Sequence, residues 1–287
     1  GSTGVFKSPE DLSAEILQAV KRDAESRTNR KMIDAAITVP AAFSMVQCEA
    51  TKRAAKKAGF RNVVLLQEPV AASIAYGAQP GAKDQYWLVF DYGGGTLDVS
   101  VVSTVDGRLE NLKNIGNNHM GGKDLDKILF ENVILPKLNV SNEIDNDNKA
   151  IIMLDVERCK IELSAMEVAP FETYTAEDLN GNPIDATIDI TRAEFEAAID
   201  AEVSEAIHIA RETLTLSGIK DNQVNRIILV GGTTFIPIVR DKLTAEFDIK
   251  LDTQLNPMTV VAEGAALYAA SAVIDCDDEQ QEIKTGD

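Results

Sequence analysis

The stretch from Tyr86 to Val102 constrains what this chain can fold into more than any other. It reads as an apolar run ending at Asp91 and Tyr92, then Gly93, Gly94, Gly95 and Thr96, then Leu97, Asp98 and a second apolar run. Two buried strands joined by a tight glycine turn fit that pattern. Glycines at such a turn let backbone N–H groups approach an anion without a Cβ in the way. Asp91, at the end of the first strand, can hold a metal-bound water beside that anion. The spacing is that of a phosphate loop. It is not the type that ends in Gly-Lys-Ser/Thr, because no lysine follows the glycines and a strand comes next instead of a helix.

Around this hairpin, strands and helices alternate. Ser8 and Pro9 open a helix whose apolar face is Leu12, Ile16, Leu17 and Val20. A strand from Ala35 to Val39 follows, then a helix from about Ser44 closed by Gly59, which fits a left-handed cap. The strand Val63 to Leu66 runs into Glu68 and Pro69 and a small-residue helix. Gln79 to Lys83 reads as a loop or hinge. Beyond the hairpin come a strand near Leu109 to Ile115, a helix to about Leu138, a second helix from Ile151 to Ala165, and two strands, Val168 to Thr175 and Ile184 to Ile190. Thr191 and Glu194 form a capping box for a long helix to about Leu216. A buried strand, Ile227 to Val230, ends in Gly231 and Gly232, a helix starts at Pro237, and a small-residue helix spans Val260 to Ala272. The expectation is an α/β fold with ligands at strand ends.

Composition narrows the function. A formal net charge of -18 argues against nucleic acid or an anionic membrane as the main partner. No apolar stretch approaches the roughly 20 residues of a membrane helix, and the start lacks a signal-peptide pattern. Lys52, Arg53, Lys56 and Lys57 fall at helical spacing and read as a solvated face. Cys48, Cys159 and Cys276 are odd in number and far apart, which fits a reducing compartment without disulfides. With only His119 and His208 in the chain, a zinc site or a histidine-based triad has little support.

Three glycine-rich strand ends recur: Asp91 to Thr96, Met120-Gly121-Gly122, and Val230 to Thr234. A single Gly-Gly pair is an ordinary turn; Asp-x-Gly-Gly-Gly-Thr-x-Asp after a buried strand is much more specific. Taken in order with Ala36 to Ala41, Gln67 to Gly77, His119 to Asp126, Glu157 to Ser164, Ile228 to Pro237 and Asn256 to Ala266, they resemble the nucleotide-binding domain of the DnaK-type, seventy-kilodalton heat-shock chaperones.

That resemblance implies an actin-like ATPase (ribonuclease-H-like) α/β fold, with the second lobe complete and the first in part. Residues 1–83 would be the C-terminal part of the first lobe. Residues 84–118 and 191–274 would form the second-lobe core, 119–190 an inserted subdomain, and 275–287 an acidic tail or linker. The helices from Val70 to Gly77 and from Val260 to Ala270 have the small faces of the family's two crossing hinge helices, or simply of tightly packed helices. Implied cofactors are ATP or ADP and Mg2+. Implied partners in an intact protein are a client-binding domain, a J-domain co-chaperone and a nucleotide-exchange factor, in the cytoplasm.

By the same resemblance Glu68 would orient the attacking water and Asp91 would act through magnesium-bound water. Gly93, Gly94, Gly95 and Thr96 would wrap the β- and γ-phosphates. Gly121, Gly122, Glu157, Lys160, Ser164, Gly231 and Gly232 would form the adenosine side. Glu157, Lys160 and Ser164 fall at i, i+3 and i+7 on one helix face, a pattern that also suits an ordinary salt-bridged surface. The chain departs from the family at Lys123, where a glutamate is usual, and at Met258, where an aspartate is usual. Phe235 replaces an arginine that packs on adenine, and an aromatic ring can stack there too.

The family's first phosphate loop, Asp-x-Gly-Thr-Thr, and the lysine that assists γ-phosphate transfer have no counterpart in these residues. A domain with lost nucleotide use and a small-molecule kinase of the same superfamily stay open as alternatives. The expected outcome for the purified chain is weak or undetectable phosphate release from ATP. Robust release that disappears in Glu68→Ala would contradict it.

Overall fold

The computed structural model describes residues 8–77, 85–105, 108–138, 140 and 144–271. The expected hinge at Gln79 to Lys83, Cys276 and the acidic tail lie outside them. Two compact units divide the chain: residues 1–84, 102–111 and 259–287 in the first, and 85–101 and 112–258 in the second.

In the first unit, α1 (Pro9–Thr28) starts with a capping box in which Ser8 and Asp11 satisfy each other's free backbone donors. It packs beside α2 (Met45–Lys57), capped in the same way by Ser44 and Gln47. Between α1 and α2 runs β1 (Asp34–Val39), which pairs in parallel with β2 (Asn62–Gln67) so that Ile37 faces Leu65. The chain passes from β2 directly into α3 (Glu68–Ala75), and Pro69 sits in its first turn, where a missing N–H costs nothing. Gly59 adopts the expected left-handed φ of 89°.

Two expectations for this unit need correction. The stripe Leu12, Ile16 and Val20 is exposed, at 50%, 65% and 61%, and Ala14 is the buried residue of α1. Charge, not that stripe, joins α1 to α2: Arg53 pairs with Glu10, and Lys57 with Glu10 and Asp11. The basic residues of α2 are therefore not simply solvated, although such exposed pairs contribute little.

The second unit contains β3 (Gln85–Tyr92), most of β4 (Leu97–Val105), part of β5 (Arg108–Asn117), β8 (Val224–Val230) and β9 (Leu251–Asp252). These strands form one sheet of order β5-β4-β3-β8-β9. A four-residue turn joins the neighbours β3 and β4, which makes them antiparallel; β3 and β8 are parallel, so the sheet is mixed. Leu88, Val89 and Phe90 are all buried, as in a strand covered on both faces.

The long helix α6 (Arg192–Ser217) begins at the Thr191–Glu194 capping box and ends at Gly218 in the left-handed conformation. The short α7 (Pro237–Glu246) packs against it. A two-stranded antiparallel sheet, β6 (Val168–Glu177) with β7 (Pro183–Thr191), lies against α5 (Asn146–Leu163). Asp145 caps α5 through the Asn148 N–H, so the helix starts five residues before the apolar pattern announces it. After α4 (Gly122–Leu129) the chain does not continue as the single helix expected to Leu138. It widens into a π-turn at Phe130–Ile134 and tightens at Leu135–Lys137 around Pro136. Among the described residues, no helix is long and apolar enough to cross a membrane.

Residues 260–271 form α8, in the first unit. A Cβ on Gly264 would overlap the carbonyl oxygen of Ala71 in α3. The small faces of α3 and α8 thus meet backbone to backbone. Gly264→Ala should force the two helices apart and cost about 1–3 kcal/mol, the usual penalty of overpacking. A thermal melt indistinguishable from that of the unaltered protein would show that the contact relaxes freely.

Candidate nucleotide-binding site

The site is built on a pairing register. β3 and β8 run side by side with Phe90 opposite Leu229 and Asp91 opposite Val230. Both strands therefore give way to glycine at the same level, one into Gly93 to Thr96 and the other into Gly231 and Gly232. Gly231 has φ 85° and lies so close to β3 that a Cβ would overlap the Tyr92 carbonyl. Only glycine satisfies both conditions.

The third glycine pair joins them. The Gly93 carbonyl accepts from the Gly122 N–H at 3.0 Å and from the Thr233 hydroxyl at 2.8 Å. One step along, the Gly94 carbonyl accepts from the Lys123 N–H at 2.8 Å. A Cβ on Gly121 would overlap the Gly95 backbone. Three sequence-distant turns are thereby tied into one surface. Around Gly94 and Gly95 there is open space where a side chain would be. Among the described residues, no protein acceptor takes their N–H groups. Open N–H groups on a rigid turn form an anion cradle, and this is the observation that a phosphate group fits.

Behind the turn, the hydroxyl of Thr96 bonds the carboxylate of Asp98. Burial nevertheless raises the pKa of Asp98 above the ordinary carboxylate value, with the Thr96 bond pulling the other way. Gly116 leaves room for this carboxylate, since a Cβ there would come within 2.6 Å of its Oδ1. Asp91 is half-buried at the end of β3. Glu68 stands in the first unit, as the first residue of α3.

A cavity of about 610 Å³ opens beside the glycine surface. Of the residues expected on the adenosine side, Gly122, Glu157, Lys160, Ser164, Gly232 and Phe235 line it, and so does Gly94 of the phosphate loop. Gly93, Gly95, Gly121 and Gly231 are framework: they hold the wall and do not face the cavity. Sequence reading missed Thr233 and Arg240 as wall residues. Arg240 lies one turn into α7, where its Nε donates to the Thr234 carbonyl at 2.7 Å and its guanidinium sits 5.3 Å from the Phe235 ring centroid. Nothing in the local pattern of α7 marks it.

Lys160 differs in kind from its neighbours on α5. Its ammonium donates to the Gly122 carbonyl at 2.9 Å and stands 2.7 Å from Asp126 Oδ1, with both side chains buried. It acts first as a clamp between α5 and the start of α4. Burial raises the pKa of Asp126, and the neighbouring ammonium only partly offsets that. Cys159, the next residue on the helix, is free, and burial pushes its thiol up to about 12. That places it outside thiolate chemistry. Cys48 is free as well. Among the described residues there is no group of three His, Cys, Asp or Glu side chains able to hold a metal ion.

Two core strands with a glycine turn and a second glycine turn on a parallel neighbour give a mixed α/β sheet with a cavity beside the turns. A family model described as Hsp70 protein matches residues 3–287, and that family has the actin-like ATPase fold, with which this mixed α/β architecture agrees. The chain belongs to the Hsp70 family, and it carries the family's nucleotide-binding, ATPase-type domain.

The clamp makes a prediction. Lys160→Met leaves Asp126 buried without its counter-charge, and should cost about 3–5 kcal/mol. Adding Asp126→Leu to Lys160→Met should recover most of that loss in a denaturant titration. A single variant as stable as the parent would remove the clamp from the account.

Proposed function

We propose that the domain binds ATP and ADP with the adenosine in the cavity and the phosphates on the Gly93-to-Thr96 turn. One observation carries this reading: Gly94, whose N–H has no protein acceptor among the described residues, lines the same cavity as Glu157, Ser164 and Phe235, and the open N–H of Gly95 follows it on the turn. The apolar wall takes the base, with the exposed face of the Phe235 ring available for stacking. Glu157 and Ser164, on one face of α5, offer an acceptor and a hydroxyl to the ribose.

A bound Mg2+ would supply charge neutralisation on the phosphates. This ion usually keeps several waters and takes one or two carboxylates, which suits a strand-end Asp91 reached through water better than an all-protein cage. Asp98, behind the turn, adds negative charge to that end of the sheet. Glu68, at the N-terminus of a helix, would orient the water for hydrolysis in an intact protein. There the nucleotide state would control client binding, together with a J-domain co-chaperone and an exchange factor, as a cytoplasmic member of the DnaK-type branch. In this reading residues 1–83 are the C-terminal part of the first lobe, and residues 84–118 and 191–274 the core of the second lobe, with residues 119–190 as its inserted subdomain.

Isothermal titration calorimetry with Mg-ADP tests it. Saturable binding is expected, weakened about tenfold by Phe235→Ala through lost base stacking and further weakened by Glu157→Ala. Absence of binding by the unaltered protein would favour an interaction module that has lost nucleotide use.

A further inference from the structure

Three cationic side chains line the cavity, and two of them are already committed. Lys160 is balanced by Asp126 and bonded to the Gly122 carbonyl. Arg240 has its Nε on the Thr234 carbonyl and its guanidinium 5.3 Å from the Phe235 ring centroid. Lys123 is different. Its side chain is exposed at the cavity wall, and among the described residues it has neither an ion pair nor a side-chain hydrogen bond.

Its backbone, in contrast, is fixed. The Lys123 N–H is bonded to the carbonyl of Gly94, and the preceding Gly122 N–H to that of Gly93. The phosphate turn itself thus holds the root of this side chain. An ammonium on a four-carbon stem is a mobile point charge, suited to an anion whose oxygens it can follow. The need for one is plain in a chain of net charge -18, whose overall field repels a polyphosphate. Glu157 also lines the cavity, and among the described residues its carboxylate has no ion pair.

We propose that Lys123 is a specificity-determining residue of this site: its ammonium engages the phosphate chain of the ligand and makes the cavity select nucleoside di- and triphosphates over the nucleoside. The inference rests on the nucleotide reading above. It also assigns a role to a position where the chain departs from its family's usual glutamate. The departure supplies charge to the phosphates and does not weaken them.

The test compares Mg-ADP with adenosine by calorimetry, on the unaltered protein and on Lys123→Met, Lys123→Glu and Lys123→Arg, at low and high salt. Lys123→Met is expected to weaken ADP about three- to tenfold, Lys123→Glu more than that, and Lys123→Arg little, while adenosine shifts by less than about twofold throughout. The salt dependence of ADP binding should flatten in Lys123→Met. Superimposable thermal melts show that the exposed substitution leaves the fold intact. ADP affinity that is the same in all four proteins, or that falls in step with adenosine, overturns the role of Lys123 while leaving nucleotide binding in place. If the unaltered protein binds neither ligand, the nucleotide reading falls and this inference with it.

Discussion

Parallel pairing of β3 with β8 decides where everything else in the second unit stands. With Asp91 opposite Val230, two strands far apart in sequence end together, and β8 can turn at position 231 only through glycine because the Tyr92 backbone is in the way. Leu88, Val89 and Phe90 are buried on both sides of the sheet, so a slip of one residue would only exchange two apolar faces, and hydrophobic burial leaves the register open. The close approach of Gly231 to the Tyr92 carbonyl goes with this register, and the register sets the position of the glycine surface. The Gly93 carbonyl then serves as a junction, taking one hydrogen bond from the Gly122 N–H and one from Thr233.

That junction explains how a small set of polar groups can be held steady without many side chains. Phosphoryl chemistry asks a protein mainly for position and for charge stabilisation. Backbone N–H groups on a turn pinned by a neighbouring turn supply position with no side chain to order, and the bonds to Gly122 and Thr233 offset the large backbone entropy that glycine loses. Charge is then added sparingly. Lys160 spends its charge on Asp126 and Gly122, which stiffens the wall, and Lys123 keeps its own free at the surface. The same residue type is thus buried and committed to packing in one place and exposed at the cavity wall in another.

In the first unit, small residues matter for a different reason. Gly264 and Ala71 bring α8 and α3 into backbone contact, a packing that tolerates no added methyl group. Its helices α1 and α2 meet across an interface whose buried members are alanines, with ion pairs along its exposed edge. Of the apolar stripe of α1, Leu12, Ile16 and Val20 stay in solvent and Leu17 is half-buried. Helical spacing tells that such residues share a face, but not whether anything covers it.

Much of this protein could be read from its residues alone. Ser8, Ser44 and Thr191 mark helix starts because a side-chain oxygen is needed where backbone donors lack partners, and the requirement is local. The Asp91-to-Asp98 turn, the order of glycine pairs and the Hsp70 family membership are likewise local patterns in a fixed sequence order. Other features are set by distance between segments, which no single segment encodes. The π-turn at Phe130–Ile134, the exposure of Leu12 and the arrival of Arg240 beside Phe235 are of this kind. So is the division of labour between Lys160 and Lys123, two lysines alike in sequence until Asp126 and the Gly122 carbonyl close on one of them. The sequence determined which backbone could turn tightly beside an anion; only the tertiary structure, by packing β8 against β3 and α5 against α4, decided which charges were left to meet it.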